Sequence, residues 1–164
     1  SSSAASDVYK RQGIQMAFLS SFDIAASGMS AQRLRMDIAA ENIANTDTTR
    51  TEAGGPYRRK DVLFESYGAG SFREALRNAS LGKGFLSRNA GLRVAGIIED
   101  DRELKRVYNP GHPDADAQGY VNYPNVDLLK ETVDSMSATR SYEANVTALN
   151  AMKVMAQKAL DIGK

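Results

Sequence analysis

The chain has no cysteine, no tryptophan, one histidine and four prolines in 164 residues. Without cysteine there can be no disulfide, no thiolate metal ligand and no thiol nucleophile. Aromatic residues make up only 7%, against 42% hydrophobic overall, so a large compact core is not assured. No apolar run approaches the ~20 residues needed to span a bilayer. The N-terminal stretch lacks the apolar segment of a cleavable secretory signal. Neither sign of charge dominates: 21 basic residues face 20 acidic ones, for a net charge of +1. That balance gives no electrostatic reason to expect a nucleic acid or an anionic membrane as partner. The length suits one domain of ordinary size.

What is present is helical periodicity at both ends. Val126–Ile162 contains neither glycine nor proline and reads as one helix, with Asn125 as its cap and Asp127 in its first turn. At 100° per residue its apolar residues fall on two sides. One side holds Leu128, Ala138, Tyr142, Val146, Leu149, Ala156 and Leu160. The other holds Val126, Leu129, Val133, Met136, Ala144, Ala151, Met155 and Ile162. A monomer's surface helix needs one apolar stripe, so two imply neighbours on two sides.

A second helix is expected over Ser21–Ala44, opened by a capping box at Ser20 and Asp23. Its wide apolar side carries Phe22, Met29, Met36 and Ile43 at heptad spacing, the period of a coiled-coil seam. A narrower side holds Ile24, Ala31, Leu34 and Ile38. Gly28 within it permits either close helix approach or a bend. Before it, residues 1–15 read as a disordered or non-native leader, with Met16 as the natural start.

Asn45-Thr46-Asp47 and Gly54-Gly55-Pro56 end this helix. Strands are expected at Tyr57–Phe64, Leu92–Ile98, Leu104–Tyr108 and Tyr120–Tyr123, the second and third forming a hairpin. The charged run Arg58-Arg59-Lys60-Asp61 reads as a solvated face or turn. Residues 66–91 read as a mobile insertion with a short helical piece near Phe72–Asn78. Gly82-Lys83-Gly84 within it lacks the spacing of a phosphate loop.

The architecture is therefore α+β. Residues 16–49 and 125–164 form long helices that pair as an antiparallel, coiled-coil-like hairpin, and residues 50–124 form a small β-rich insert. Reactive chemistry is sparse. His112, Asp114 and Asp116 could hold a metal or serve a hydrolase, but they sit in a Pro/Gly turn without further ligands, and an Asx-rich turn accounts for them. The acidic run Glu99-Asp100-Asp101 reads as a surface turn. Methionines 29, 36, 136, 152 and 155 read as adaptable packing residues. No catalytic residue, metal or cofactor is assigned.

Several stretches carry a family likeness. Asp23-Ile24-Ala25-Ala26-Ser27-Gly28-Met29-Ser30-Ala31-Gln32-Arg33 leads into Asn42-Ile43-Ala44-Asn45-Thr46. Gly55-Pro56-Tyr57-Arg58-Arg59-Lys60, His112-Pro113-Asp114-Ala115-Asp116, Gly119-Tyr120-Val121, Pro124-Asn125-Val126-Asp127 and Met136 through Val146 follow in order. Together they resemble the bacterial flagellar rod and hook axial proteins, and among them the subunits of the proximal rod. The likeness runs from Met16 to Lys164 and fits least over Ser66–Asn89.

The resemblance implies a non-enzymatic structural subunit of the rod that crosses the periplasm. It implies export by the flagellar type III apparatus without a cleavable signal. Its partners would be copies of itself, other rod proteins, and the MS-ring and export-gate junction at the rod base. The terminal helices would line a torque-transmitting tube around the export channel. The expected assembly interface comprises Phe22, Met29, Leu34, Met36, Asn42, Ile43, Asn45, Leu129, Val133, Met136, Tyr142, Val146, Leu149, Met152 and Met155. A soluble helical-hairpin adaptor or export chaperone would also expose apolar helix faces and is the alternative.

Ordering each helical residue costs ~1–2 kcal/mol of backbone entropy, and assembly supplies burial that a monomer lacks. Hydrogen exchange on a proven monomer is therefore expected to show weak protection across Val126–Ile162; strong protection there would contradict it.

Overall fold

The computed structural model describes the backbone of residues 2–67 and 91–162 and the side chains of residues 19–67 and 91–161. Almost all of the expected insertion, with its Phe72–Asn78 piece and Gly82-Lys83-Gly84, lies outside the described residues. The elements in order are helix α1 (Ser2–Ala44), strands β1 (Lys60–Tyr67), β2 (Gly91–Glu99), β3 (Lys105–Tyr108) and β4 (Tyr120–Tyr123), and helix α2 (Leu128–Ile162). The fold is α+β, with the two terminal helices packed together and two small sheets between them in sequence.

Helix α1 begins at Ser2 rather than at Ser21. The upstream residues include Ala4, Ala5, Lys10, Arg11, Gln12 and Gln15, all good helix formers. The Ser20–Asp23 pair therefore lies inside a continuing helix and caps nothing. Its C-terminal end falls where expected, but no non-glycine residue among those described adopts a left-handed backbone. Side chains close the end instead: the Thr46 hydroxyl donates to the Ile43 carbonyl at 2.8 Å, and Asn45 Nδ2 donates to the Glu41 carbonyl at 2.9 Å.

Helix α2 starts two residues later than the sequence suggests, and its cap is Asp127, not Asn125. Asp127 Oδ1 accepts from the backbone N–H of Leu129 at 3.0 Å, and the Glu131 N–H closes the first turn on the Asp127 carbonyl.

The strands lie close to expectation; their pairing does not. β1 is hydrogen-bonded to β2, and β3 pairs with β4. The β3–β4 ladder is antiparallel, with Lys105 opposite Tyr123 and Tyr108 opposite Tyr120. The β2–β3 hairpin fails because the link between those strands is tied elsewhere. The Asp100 N–H donates to the Arg59 carbonyl at 2.8 Å, and Asn125 Nδ2 donates to the carbonyls of Asp100 and Arg102. In the 109–119 turn, Gly119 holds a φ of 83°, and a Cβ there would lie 2.9 Å from the Tyr108 ring.

The chain divides into two compact units. In the first (Ser1–Ala31, Phe64–Arg93, Tyr142–Lys164), the Ser27 hydroxyl donates to the Ile24 carbonyl and accepts from the Leu92 N–H at 3.1 Å. A Cβ on Gly28 would meet Asn145 Nδ2 at 2.9 Å. The glycine thus serves close approach between helices. The second unit (Gln32–Leu63, Val94–Ser141) holds most of the described core: Ile38, Ala39, Tyr57, Val121, Val126 and Ala138, with Asn42, Arg59, Asn125 and Glu131 buried among them. Within it Asn42 meets Glu131 and Met36 meets Thr139, so the two helices run antiparallel there.

Gly91 tests the first unit. A Cβ at this position would lie 2.8 Å from Tyr67 Oη and 2.9 Å from Ser27 Oγ. Gly91→Val is expected to break the Ser27–Leu92 bond and to destabilise by about 1–3 kcal/mol, as overpacking does. Urea denaturation with an unchanged midpoint would refute this.

Candidate functional site

Two features bear on function: a buried polar core in the second unit and an apolar outer stripe along α2. The core begins with Glu131, 1% exposed in the first turns of α2. A buried carboxylate must be paired and hydrogen-bonded. Arg59, 6% exposed, donates from Nε to Glu131 Oε1 at 2.5 Å. Asn42 donates from Nδ2 to Glu131 Oε2 at 3.0 Å. Arg59 also reaches Asp61 at 3.1 Å and Asp134 at 3.6 Å.

Asn42 uses its full hydrogen-bonding capacity. Nδ2 donates to Glu131 and to the Lys60 carbonyl, while Oδ1 accepts from the Lys60 N–H and the Tyr57 hydroxyl. A side-chain amide has two donors and two acceptor lone pairs, so none is left over. Asn125 acts similarly. Its Oδ1 accepts the Arg59 N–H at 2.9 Å, which fixes the segment carrying Arg59. Burial, followed by the negative charges of Glu41 and Glu131, pushes the Tyr57 phenol up to about 12.

The run Arg58–Asp61 is therefore a solvated face only in part: Asp61 is exposed, whereas Arg59 is buried. Arg59 is an interior ion-pair partner, and Lys60 pairs with Glu41 at 2.6 Å. The sequence did hold a signal. Glu131 stands one heptad before Ala138 on the inner stripe of α2, and Asn42 stands four residues after Ile38 on that of α1. A polar residue on a buried stripe calls for a partner. The cleft bordered by Asn42, Arg59, Lys60, Glu131 and Asp134 offers about 20 Å³, room for about one water.

The outer stripe lies on α2. Leu129 is 75% exposed, Val133 56%, Met136 54% and Met155 60%. The opposite stripe is covered: Ala138 is buried, and Tyr142, Val146, Leu149 and Met152 are half-buried. The two apolar sides expected of α2 thus separate into an inward and an outward one, except that Val126, expected on the outward side, is fully buried just before the helix. Leu128 and Leu160, assigned to the inward side, are exposed near the helix ends.

Helix α1 differs from expectation. Its buried residues, Ala25, Ala31, Ile38, Ala39 and Asn42, include Ala31 and Ile38 of the narrower side. The heptad series Phe22, Met29, Met36 and Ile43, and Leu34, are half-buried. Two residues of the expected interface make bonds within the chain. Asn42, 1% exposed, is an interior hub no neighbour can reach. Asn45 closes the end of α1 through Glu41 and accepts the Thr48 hydroxyl.

The histidine turn is structural in detail. His112 Nδ1 accepts the Asp114 N–H at 3.1 Å. Asp114 binds the Thr49 hydroxyl at 2.8 Å and Arg50 at 2.7 Å. Asp116 accepts the N–H groups of Gln118 and Tyr120 and pairs with Arg106. These bonds hold its carboxyl below the usual carboxylate range, the Tyr120 N–H foremost. Asp100 is pulled down to about 2, chiefly by its hydrogen bonds from the Arg102 side chain and backbone. Glu99 thus ends β2, and Asp100 after it is held by an arginine.

Comparison with known proteins decides the family. A Bacillus subtilis (strain 168) protein named flagellar basal-body rod protein FlgC is 51% identical over 148 residues, 88% of this chain and 97% of that protein. The chain belongs to the FlgC family of flagellar basal-body rod proteins. A FlgC protein of Escherichia coli O6:H1 (strain CFT073) is 44% identical over 149 residues, 91% of this chain and all of the relative. One from Borreliella burgdorferi is 43% identical over 156 residues, 90% of this chain and 98% of the relative. Residues 22–50 match the profile described as flagella basal body rod protein, and residues 117–162 match that of the flagellar basal body rod FlgEFG protein C-terminal region. These two segments of the FlgC-family chain supply Asn42, Asn125 and Glu131. Tyr57 and Arg59 come from between them.

The Tyr57 environment has a pH consequence. Its phenol stays protonated in the fold up to about 12 against an ordinary value of 10.0. The stability this gives is fully present below pH 10 and is lost as pH rises through 12. The chain is expected to lose stability between those values, and Tyr57→Phe to flatten that part of the profile. Identical alkaline melting curves for the two proteins would count against the assignment.

Proposed function

We propose that this FlgC-family chain is a structural subunit of the flagellar basal-body rod that assembles through the outward stripe of α2 into a tube of packed helices. The observation that carries the reading is that Leu129, Val133, Met136 and Met155 are each more than half exposed on a helix whose opposite side is already covered. Full burial of one such side chain contributes about 1.5–3 kcal/mol. Contact between copies and with other rod proteins therefore gains what the monomer leaves unused. Close packing of such helices transmits torque from motor to hook without any reacting group, and the bore of the tube serves the export channel.

The partners under this reading are further copies, other rod proteins, and the MS-ring and export-gate junction at the base. The subunit lies in the rod across the periplasm and leaves the cell interior through the flagellar type III apparatus without a cleavable signal. No helix among the described residues is long and apolar enough to cross a membrane, which agrees with a place inside a protein tube. The terminal segments 16–49 and 125–164 form the axial core and 50–124 its outer part. The soluble adaptor reading draws no support from the relatives, whose names are those of rod proteins.

Leu129→Asp with Val133→Asp is the test, made in the source bacterium and in purified protein. Surface changes of this kind shift folding stability by about 0.5 kcal/mol or less. The purified variant is expected to melt like the parent while the strain loses motility and its basal bodies stop short of a complete rod. Normal swimming would overturn the proposal.

A further inference from the structure

We infer that Glu131, held between Asn42 and Arg59, is a register lock: it selects one stagger of α2 along α1 among several that the apolar seam would accept. The inference concerns the single subunit and stands apart from the assembly reading.

The seam itself discriminates poorly. Its buried residues are small: Ala31 and Ala39 on α1 and Ala138 on α2, with Ile38 among them. Side chains this short interdigitate little, so a slide of one turn, about 5.4 Å, meets few interlocking contacts. Burial of apolar surface is non-directional, so it scarcely opposes such a slip.

The polar contacts do oppose it. In the observed stagger, Glu131 Oε1 receives Arg59 at 2.5 Å and Oε2 receives Asn42 at 3.0 Å. The side chains of Arg59 and Glu131 are only 7% and 2% exposed. A one-turn slip would carry the carboxylate to Ile38 and Ala39 or toward Thr46, away from both donors and still enclosed. A buried carboxylate without its partners is among the most costly defects a fold can hold. A single polar position can set helix register in coiled coils for this reason.

A rival anchor stands nearby. Asn125 fastens the chain to Arg59 just before α2, Lys105 Nζ donates to the Val126 carbonyl, and Val126 is fully buried. That tether could set the stagger without Glu131. Glu131→Leu separates the two explanations, because it leaves the tether intact. It also spares the other partners: Arg59 keeps Asp61 and Asp134, and Asn42 keeps Lys60 and Tyr57.

Register can be read by thiol cross-linking, since the chain has no cysteine of its own. Met36 Sδ accepts the Thr139 hydroxyl at 3.2 Å in the observed stagger. Thr139→Cys is combined in turn with Met36→Cys, Gln32→Cys or Ala40→Cys and treated with a short bis-methanethiosulfonate reagent. Gln32 and Ala40 lie about one turn to either side of Met36. With Glu131 present, the Met36 pair is expected to exceed the other two by about tenfold, as a preference of this size requires. In Glu131→Leu, with helicity by circular dichroism retained, the three yields are expected to come within about threefold of one another.

Glu131→Gln keeps shape and fold but offers one acceptor to two donors. It is expected to raise the off-register share about threefold over the parent, and it decides the matter should Glu131→Leu lose its helicity. Off-register yields that stay at the parental level in both variants, or in Glu131→Gln where only that variant folds, would show that the tether suffices and would overturn the lock.

Discussion

A carboxylate enclosed in protein is tolerable only if its donors are already in place. Glu131 imposes that condition on three separated parts of the sequence. Arg59 must arrive from the segment after α1, which requires the Tyr57–Lys60 backbone to lie along Asn42. Asn125 must hold the Arg59 N–H, which sets where the chain enters α2. Asn42 must present its amide with the correct face, since the reverse orientation would oppose the Lys60 N–H with a donor. The end of α1, the start of β1 and the start of α2 are therefore one cooperative object. A buried ion pair of this kind adds little net stability over a well-packed apolar equivalent. Its contribution is to make one arrangement much better than its neighbours.

The apolar residues follow a different logic. Along α2, Ala138 and the half-buried Tyr142, Val146, Leu149 and Met152 form one side, while Leu129, Val133, Met136 and Met155 stand in solvent. Exposed leucines scattered singly are normal in soluble proteins. Leu129, Val133 and Met136 are not scattered, because their spacing places them on one helix face. In the proposed assembly, that face is the one that meets neighbouring subunits.

Period and pairing were not equally legible. The 3.6-residue pattern revealed both long helices and the two sides of α2, because burial on a helix follows sequence spacing directly. Strand positions were legible within a few residues from their composition. Strand pairing was not, because it depends on where the connections are anchored. Asp100 and Arg102 are bound by Asn125 from far along the chain, and no local pattern discloses that. Likewise the run Arg58–Asp61 looked like a wetted surface throughout, and only the long-range partners Glu131 and Asn125 turn Arg59 into an interior residue. Asn42 and Glu131 were readable in part, as polar residues on otherwise apolar inner stripes. For the wide side of α1 the width of the stripe misled. Small residues bury most fully where helix backbones approach closely, so Ala31 and Ala39 rank above Met29 and Met36 in burial.

These observations assign the two kinds of interaction to two kinds of work. Apolar contact is strong but lacks direction, whereas charge-assisted hydrogen bonds are directional and lose their value when displaced. A subunit with alanine-rich helices and no polar core would pair them in several staggers. Each stagger would move the outer residues of α2 along its axis by about one turn, or about 5.4 Å. A tube built from repeated copies cannot absorb such variation, because the stripe of one copy must meet the same surface of the next. Placing the ion pair inside and the aliphatic stripe outside resolves this. In the proposed assembly, the interior fixes the shape of the subunit, and the exterior supplies free energy for joining subunits of that shape. Exchanging the two would leave a polar outer face with little drive to assemble and an inner seam free to slide.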